Sequence, residues 1–203
     1  MPSVYQLKPR FQALLRPLTN TLARAGVTAN QITLLAMLLS LAVAGTLTFA
    51  ALPPQGWLIL PVLLFVRMAL NAIDGMLARE HGQQSALGGI YNEVCDIVSD
   101  TALFIPFALL HAQTAWLVLA VAFFAVVSEY IGVLGPMLKA SRRYDGPMGK
   151  SDRATLLGAL ALVQAFAGLG SLLLLWAMLA MLALLLVTCV NRARQILREV
   201  QHD

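Results

Sequence analysis

Asn71 and Asp74 stand three residues apart, and Asn92, Asp96 and Asp100 follow at intervals of four. At 3.6 residues per turn each set falls on one face of a helix, with Glu93 flanking the second stripe. A short polar connection joins the two segments, so they can pack antiparallel and bring both stripes together. Oxygen side chains converging in this way suit a hard divalent cation such as Mg²⁺ or Mn²⁺. A site of that kind calls for an anionic substrate, usually a phosphate. Arg67, one turn before Asn71, reads as a buried counter-ion for Asp74 or Glu129, and Glu129 as a partner between helices. Lys139, Arg142, Arg143, Lys150 and Arg153 form a basic cluster that topology and anionic headgroups alone would explain. His81, His111 and His202 lack ligand spacing and read as surface groups. Cys95 and Cys189 lie in different apolar segments and read as ordinary buried residues.

The elements that must position these groups are set by lipid. Of 203 residues 59% are hydrophobic and only 12% charged, far from the quarter charged that is usual in soluble domains. The apolar residues run in stretches of about twenty, enough to cross a hydrocarbon core of about 30 Å. A β-barrel would alternate in short segments instead. The expected fold is all-α, with six transmembrane helices near 31–52, 57–78, 88–110, 115–137, 154–170 and 172–190. Thr28-Ala-Asn-Gln31 has the form of a capping box opening the first, and Ser171 is placed to cap the sixth. Inside such spans each ionisable group costs about 2.5–3.5 kcal/mol at the bilayer centre, so the acids must be there for a purpose.

Residues 5–24 read as an amphipathic helix: Phe11, Leu14, Leu15, Leu18 and Leu22 keep helical spacing, with basic residues on other faces. That pattern fits a helix lying among anionic headgroups. Lys8, Arg10, Arg16 and Arg24, with no apolar stretch between them, do not read as a signal peptide. Alternate connections at 53–56, 111–114 and 168–171 hold no Lys or Arg. All 14 basic residues except Arg67 fall on the opposite side. Both termini should therefore be cytoplasmic, in a bacterial inner membrane. The net charge of +4 follows from this topology and calls for no nucleic acid. Three regions are expected: an arm over 1–30, a six-helix membrane domain over 31–191, and a cytoplasmic tail over 192–203.

The stretch from Asn71 to Asp96 resembles the signature of the CDP-alcohol phosphotransferase family, D-x2-D-G-x2-A-R-x8-G-x3-D-x3-D. Asp74, Gly75, Ala78, Arg79, Gly88 and Asp96 match it in type and spacing. Asn30 and Thr33 opening the first span, the basic arm, and Gly149-Lys150 before the fifth span are also similar to the family. The resemblance covers nearly the whole chain and is closest to uncharacterised bacterial members. It implies a phosphatidyltransferase of phospholipid biosynthesis. In this family the acidic motif binds two divalent metals that hold the diphosphate of a CDP-linked lipid such as CDP-diacylglycerol.

The resemblance makes Asp96 the general base that activates an acceptor alcohol. Asn71, Asp74, Asn92 and Asp96 become metal ligands, and Gly75, Ala78, Arg79, Gly88, Asn30 and Thr33 contacts of the CDP moiety. Arg142, Arg143, Lys150 and Arg153 become contacts of an acceptor that can itself carry a phosphate. A homodimer is implied as well. Two positions depart from the pattern: the first and third aspartates of the signature are Asn71 and Asn92. Each keeps an oxygen but loses a charge, which weakens divalent binding. Glu93 and Asp100 are expected to restore that charge. A one-metal site, a binding protein without turnover and a small cation-coupled transporter are the competing readings. No paired repeats support the last of these.

Overall fold

The computed structural model describes residues 4–202, with side chains over 10–201. Those residues form seven α-helices and no strand: α1 (Val4–Arg24), α2 (Ala29–Phe49), α3 (Ile59–Glu80), α4 (Ala86–Leu110), α5 (Ala112–Met137), α6 (Lys150–Ala167) and α7 (Ser171–His202). A 3₁₀ turn, Pro54–Leu58, leads into α3. The expected segments each correspond to one helix, with the arm as α1. Four stretches are long and apolar enough to cross a membrane: α2, Pro54–Glu80, α5 and α7.

The two helices missing from that set, α4 and α6, fail for a telling reason. No 18-residue window of α4 avoids Glu93, Asp96 and Asp100, and α6, itself 18 residues long, begins with Lys150, Asp152 and Arg153. The charges that lower their hydropathy are the same groups that could do chemistry. Around the helices the surface is apolar. Phe49, Phe65, Phe123 and Phe166 are all more than 60% exposed, an arrangement that lipid accommodates and water does not.

Contacts divide the chain into two compact units. The first is the chain up to Ala42 with Val62–Ser99; the second is Val43–Pro61 with Asp100 onward. In the first unit Ala29 and Ile32 of α2 pack on Ile73, Met76 and Leu77 of α3, and Leu15, Leu22 and Ala23 of α1 cover them. Leu14 and Leu18 face outward, 75% and 50% exposed. The leucine stripe of α1 is thus split between protein and surroundings.

Thr28 and Gln31 form the reciprocal box. Gln31 N donates to Thr28 Oγ1 at 3.3 Å, and Thr28 N donates to Gln31 Oε1 at 2.9 Å. The end of α3 then fastens the neighbouring helices. Arg16 makes a two-pronged pair with Glu80 at 2.9 and 3.0 Å, and Asn20 bonds His81 at 3.1 Å. Gln83 accepts from Ala29 N at 2.7 Å and donates to the Val27 carbonyl at 3.3 Å.

In the second unit α5 and α7 pack together. Leu174, Met178, Met181 and Leu185 are wholly buried along one stripe of α7. Gly132 and Gly135 of α5 leave room for the returning loop. Arg143 N donates to Gly132 O at 3.2 Å and Ala140 N to Gly135 O at 2.9 Å. A Cβ at Gly132 would meet the Arg143 carbonyl. Trp57 packs edge-on against Phe107 at 5.0 Å.

One sequence expectation changes at this level, and another gains detail. Ser171 is the first residue of α7, not its cap; the Gly170 carbonyl accepts the first helical bond, from Leu174 N, at 3.1 Å. The stretch expected as a tail from Arg192 is a continuation of α7 to His202.

Candidate active site

The first unit holds a cavity of about 530 Å³, within the range of small-molecule sites. Its walls include Asn30, Thr33, Asp74, Gly75, Ala78, Arg79, Gly88 and Asn92. All six residues that the resemblance assigns to CDP therefore line one space, beside two of the proposed metal ligands. Gln83, Gln84 and Ser85 of the α3–α4 connection and Gly89 of α4 add to the wall. Sequence reasoning missed these four; their only signal was a short polar link between the two halves of the motif. Asn71 and Asp96 lie off the lining, one turn before Asp74 on α3 and one turn after Asn92 on α4.

Two helices begin at this cavity. Ala29 and Asn30 belong to the first turn of α2, and Gly88 and Gly89 to the first turn of α4. Helix N-termini present unpaired N–H groups and the positive end of the macrodipole, which favours phosphate oxygens. Ser85 caps α4, accepting from Gly88 N at 3.0 Å. A Cβ on Gly88 would sit 3.0 Å from Asn30 Oδ1 and 3.1 Å from Ser85 Oγ, so an added methyl would press on both side chains. Arg79 folds over Gly75, where a Cβ would lie 2.8 Å from its Nη2.

Asp74 is buried, 6% exposed, and Thr33 Oγ1 donates to its Oδ2 at 2.9 Å. Arg67, 4% exposed, pairs with Asp96: its Nη2 lies 3.3 Å from Asp96 Oδ1 and 3.4 Å from the Asp96 carbonyl. Asp96, on α4, is a partner the sequence reading did not name. Glu129 belongs instead to a cluster of arginines in the second unit.

That cluster was not legible in the sequence. Arg153 Nη2 lies 3.2 Å from Asp100 Oδ2 and 3.0 Å from Glu129 Oε1. Arg192 Nη1 and Arg142 Nη2 approach the other oxygen of Glu129 at 3.3 and 4.0 Å. Arg143 pairs with Glu199 and Asp145, and Arg142 stacks on Tyr144 at 4.7 Å. Arg192 is almost fully enclosed, 1% exposed, although its sequence position suggested only a positive flank. Lys150 is half-buried at the start of α6, and Lys139 is exposed. Of the histidines, His111 Nε2 lies 2.6 Å from the Leu169 carbonyl and is half-buried, while the side chain of His202 is outside the described residues. Among the described residues no three His, Cys, Asp or Glu side chains form a group that could hold a metal.

Known proteins resemble this chain in sequence and fold. The chain is 46% identical over 199 residues to the inner membrane protein YnbA of Escherichia coli, covering 96% of each. It is 30% identical over 135 residues to the phosphatidylinositol phosphate synthase of Mycobacterium tuberculosis, covering 64% of this chain and 60% of that one. The fold matches a crystal structure of the Mycobacterium tuberculosis synthase with CDP-DAG bound. The TM-score is 0.73 at 22% identity, over 89% of this chain and 92% of that chain. A second structure of that synthase, in complex with manganese and citrate, also gives 0.73, at 23% identity over 89% of this chain and 87% of that one. Residues 26–190 match the CDP-alcohol phosphatidyltransferase family, and with most of its length accounted for in this way the chain belongs to that family.

Proposed function

We propose that this protein transfers a phosphatidyl group from a CDP-linked lipid, CDP-diacylglycerol being the natural donor, to an acceptor alcohol, with release of CMP. One observation carries the reading: a single cavity gathers five of the six matched motif residues, Asp74, Gly75, Ala78, Arg79 and Gly88, with two helix N-termini. The N–H groups of α2 and α4 take the diphosphate oxygens, Arg79 reaches them from Gly75, and Thr33 fixes the orientation of Asp74. The acceptor hydroxyl gives its proton to the Asp96 carboxylate, and its oxygen bonds to the β-phosphorus. The bond from that phosphorus to the bridging oxygen breaks, and CMP leaves with the electron pair.

The donor set suits a single hard divalent cation, Mg²⁺ or Mn²⁺. Asp74 and Asp96 supply two negative charges, and Asn71 and Asn92 two neutral oxygens. Bound there, the ion would neutralise the diphosphate and stabilise the charge left on CMP. Asp100 no longer serves as a supplement, because its carboxylate pairs with Arg153; Glu93 keeps that role. Glu93→Gln is expected to weaken Mn²⁺ affinity about tenfold, as loss of a supporting carboxylate does, while Asp100→Asn leaves it unchanged. Calorimetric titration distinguishes them, and wild-type affinity in Glu93→Gln would remove Glu93 from the site.

Around this site we place six membrane spans, α2 to α7, in a bacterial inner membrane with both termini cytoplasmic. Residues 31–191 carry the catalytic region; the arm over 1–30 lies amphipathically at the headgroups, and 192–203 extend into the cytoplasm. Two copies associate as a dimer.

The test is CMP release from CDP-diacylglycerol by purified protein with Mn²⁺ or Mg²⁺ and a panel of alcohols. Acceptor-dependent release supports the transferase. Donor binding without release under any condition would favour a binding protein, the reading to which the sparse metal ligands lend weight. Gly88→Ala supplies a sharper check on the cavity. The added methyl crowds Asn30 and Ser85, so donor affinity should fall about tenfold, ~1.4 kcal/mol, with helical content unchanged.

A further inference from the structure

Arg67 is a buried charge of the first unit to which the transfer reaction gives no role. It shares one face of α3 with Asn71 and Asp74, four and seven residues further on. It is 4% exposed, and its Nη2 lies 3.3 Å from Asp96 Oδ1 and 3.4 Å from the Asp96 carbonyl. We infer that Arg67 is a positioning residue that stands at Asp96 as a built-in cation: it orients that carboxylate and confines the site to one divalent ion. This role rests on the reading of Asp74 and Asp96 as metal ligands given above.

Geometry fixes the guanidinium in place. Both atoms that accept from Nη2 belong to Asp96, so the bond holds the carboxylate against its own backbone. Parting a buried guanidinium from its carboxylate is unfavourable, which keeps the pair closed. Charge balance points the same way. Asp74, Asp96 and Glu93 carry three negative charges, while Asn71 and Asn92 are neutral. Arg67 cancels one of the three and leaves two, the charge of a single divalent ion. Arg79 is already assigned to the diphosphate. A second ion at Asp96 would have to share that carboxylate with the guanidinium. At such range like charges repel strongly, and among buried groups screening is weak. Hard divalent ions hold more tightly as ligand charge rises, and the amides at positions 71 and 92 add none to offset the repulsion.

Calorimetric titration with Mn²⁺ alone, without donor or acceptor, tests this role. Wild type should bind one ion per chain. Arg67→Gln should bind Mn²⁺ about tenfold more tightly, since a cation at short range no longer opposes it. An arginine that merely oriented a ligand would do the opposite, its loss weakening metal binding by about 10–100-fold. Arg67→Lys keeps the charge and loses the planar fork. Its Mn²⁺ affinity should stay at the wild-type value, while kcat for CMP release falls about tenfold through the misplaced carboxylate and KM for the donor holds. Unchanged or weaker Mn²⁺ binding by Arg67→Gln would overturn the inference, as would Arg67→Lys matching Arg67→Gln in affinity. Two ions bound per wild-type chain, or none, would overturn it whether or not the variants fold. One ion bound by a wild type that releases no CMP with any acceptor would remove the transferase reading and leave Arg67 its role.

Discussion

Asp96→Asn will lower the rate of CMP release by about 10²–10⁴-fold at saturating metal, with donor affinity nearly unchanged. The magnitude is that of a lost general base. Asparagine matches aspartate in shape and keeps an oxygen for Arg67, which lies 3.3 Å from Asp96 Oδ1, so the local packing survives. What it cannot do is take the proton of the acceptor hydroxyl. Asp96 also lies off the cavity wall that is proposed to hold the donor, so at saturating metal its effect is separated from donor binding.

The prediction therefore has two parts: kcat falls, and the dissociation constant for CDP-diacylglycerol does not. Asp74→Asn is the contrasting variant. Asp74 lines the cavity and bonds Thr33, so its loss should weaken metal and donor together. If Asp96→Asn instead loses donor and metal in proportion to rate, Asp96 is a ligand only and the base lies elsewhere.

Local features of this fold were open to reading, because each depends on a few neighbouring residues. The box between Thr28 and Gln31 needs only a spacing of three, and it stands as expected at the start of α2. The Asn71/Asp74 and Asn92/Asp96 stripes follow from helical periodicity, and long apolar runs mark the helices. The Glu129 cluster was closed to the same reasoning. Glu129 meets Arg153 across 24 residues, Asp100 meets Arg153 across 53 and Arg143 meets Glu199 across 56. No periodicity encodes such pairings; packing of distant helices decides them. The leucines of α1 show the boundary between the two cases. Spacing places them along a helix, but only the fold reveals that Leu15 and Leu22 cover α3 while Leu14 and Leu18 do not. The same limit explains Asp100. Nothing in the α4 stripe announces that Arg153, 53 residues away, lies 3.2 Å from its carboxylate.

Glu129→Leu is expected to destabilise the protein by about 3–5 kcal/mol, the cost of removing one member of a buried ion pair. The carboxylate serves three arginines from two helices and a loop, and two of them, Arg153 and Arg192, are 2% and 1% exposed. Its removal leaves Arg153 with Asp100, and Arg192 with the carbonyls of Ser128 and Asp145. Neither carbonyl carries a charge to offset a buried guanidinium. Thermal or denaturant unfolding in a mild detergent measures the loss. A second substitution identifies its origin. If the cost comes from a stranded cation, adding Arg192→Met to Glu129→Leu should recover part of it, because a well-packed apolar side chain replaces an uncompensated charge. Additive losses in the double variant would show that Glu129 stabilises by packing, and the ionic account of this cluster would then fail.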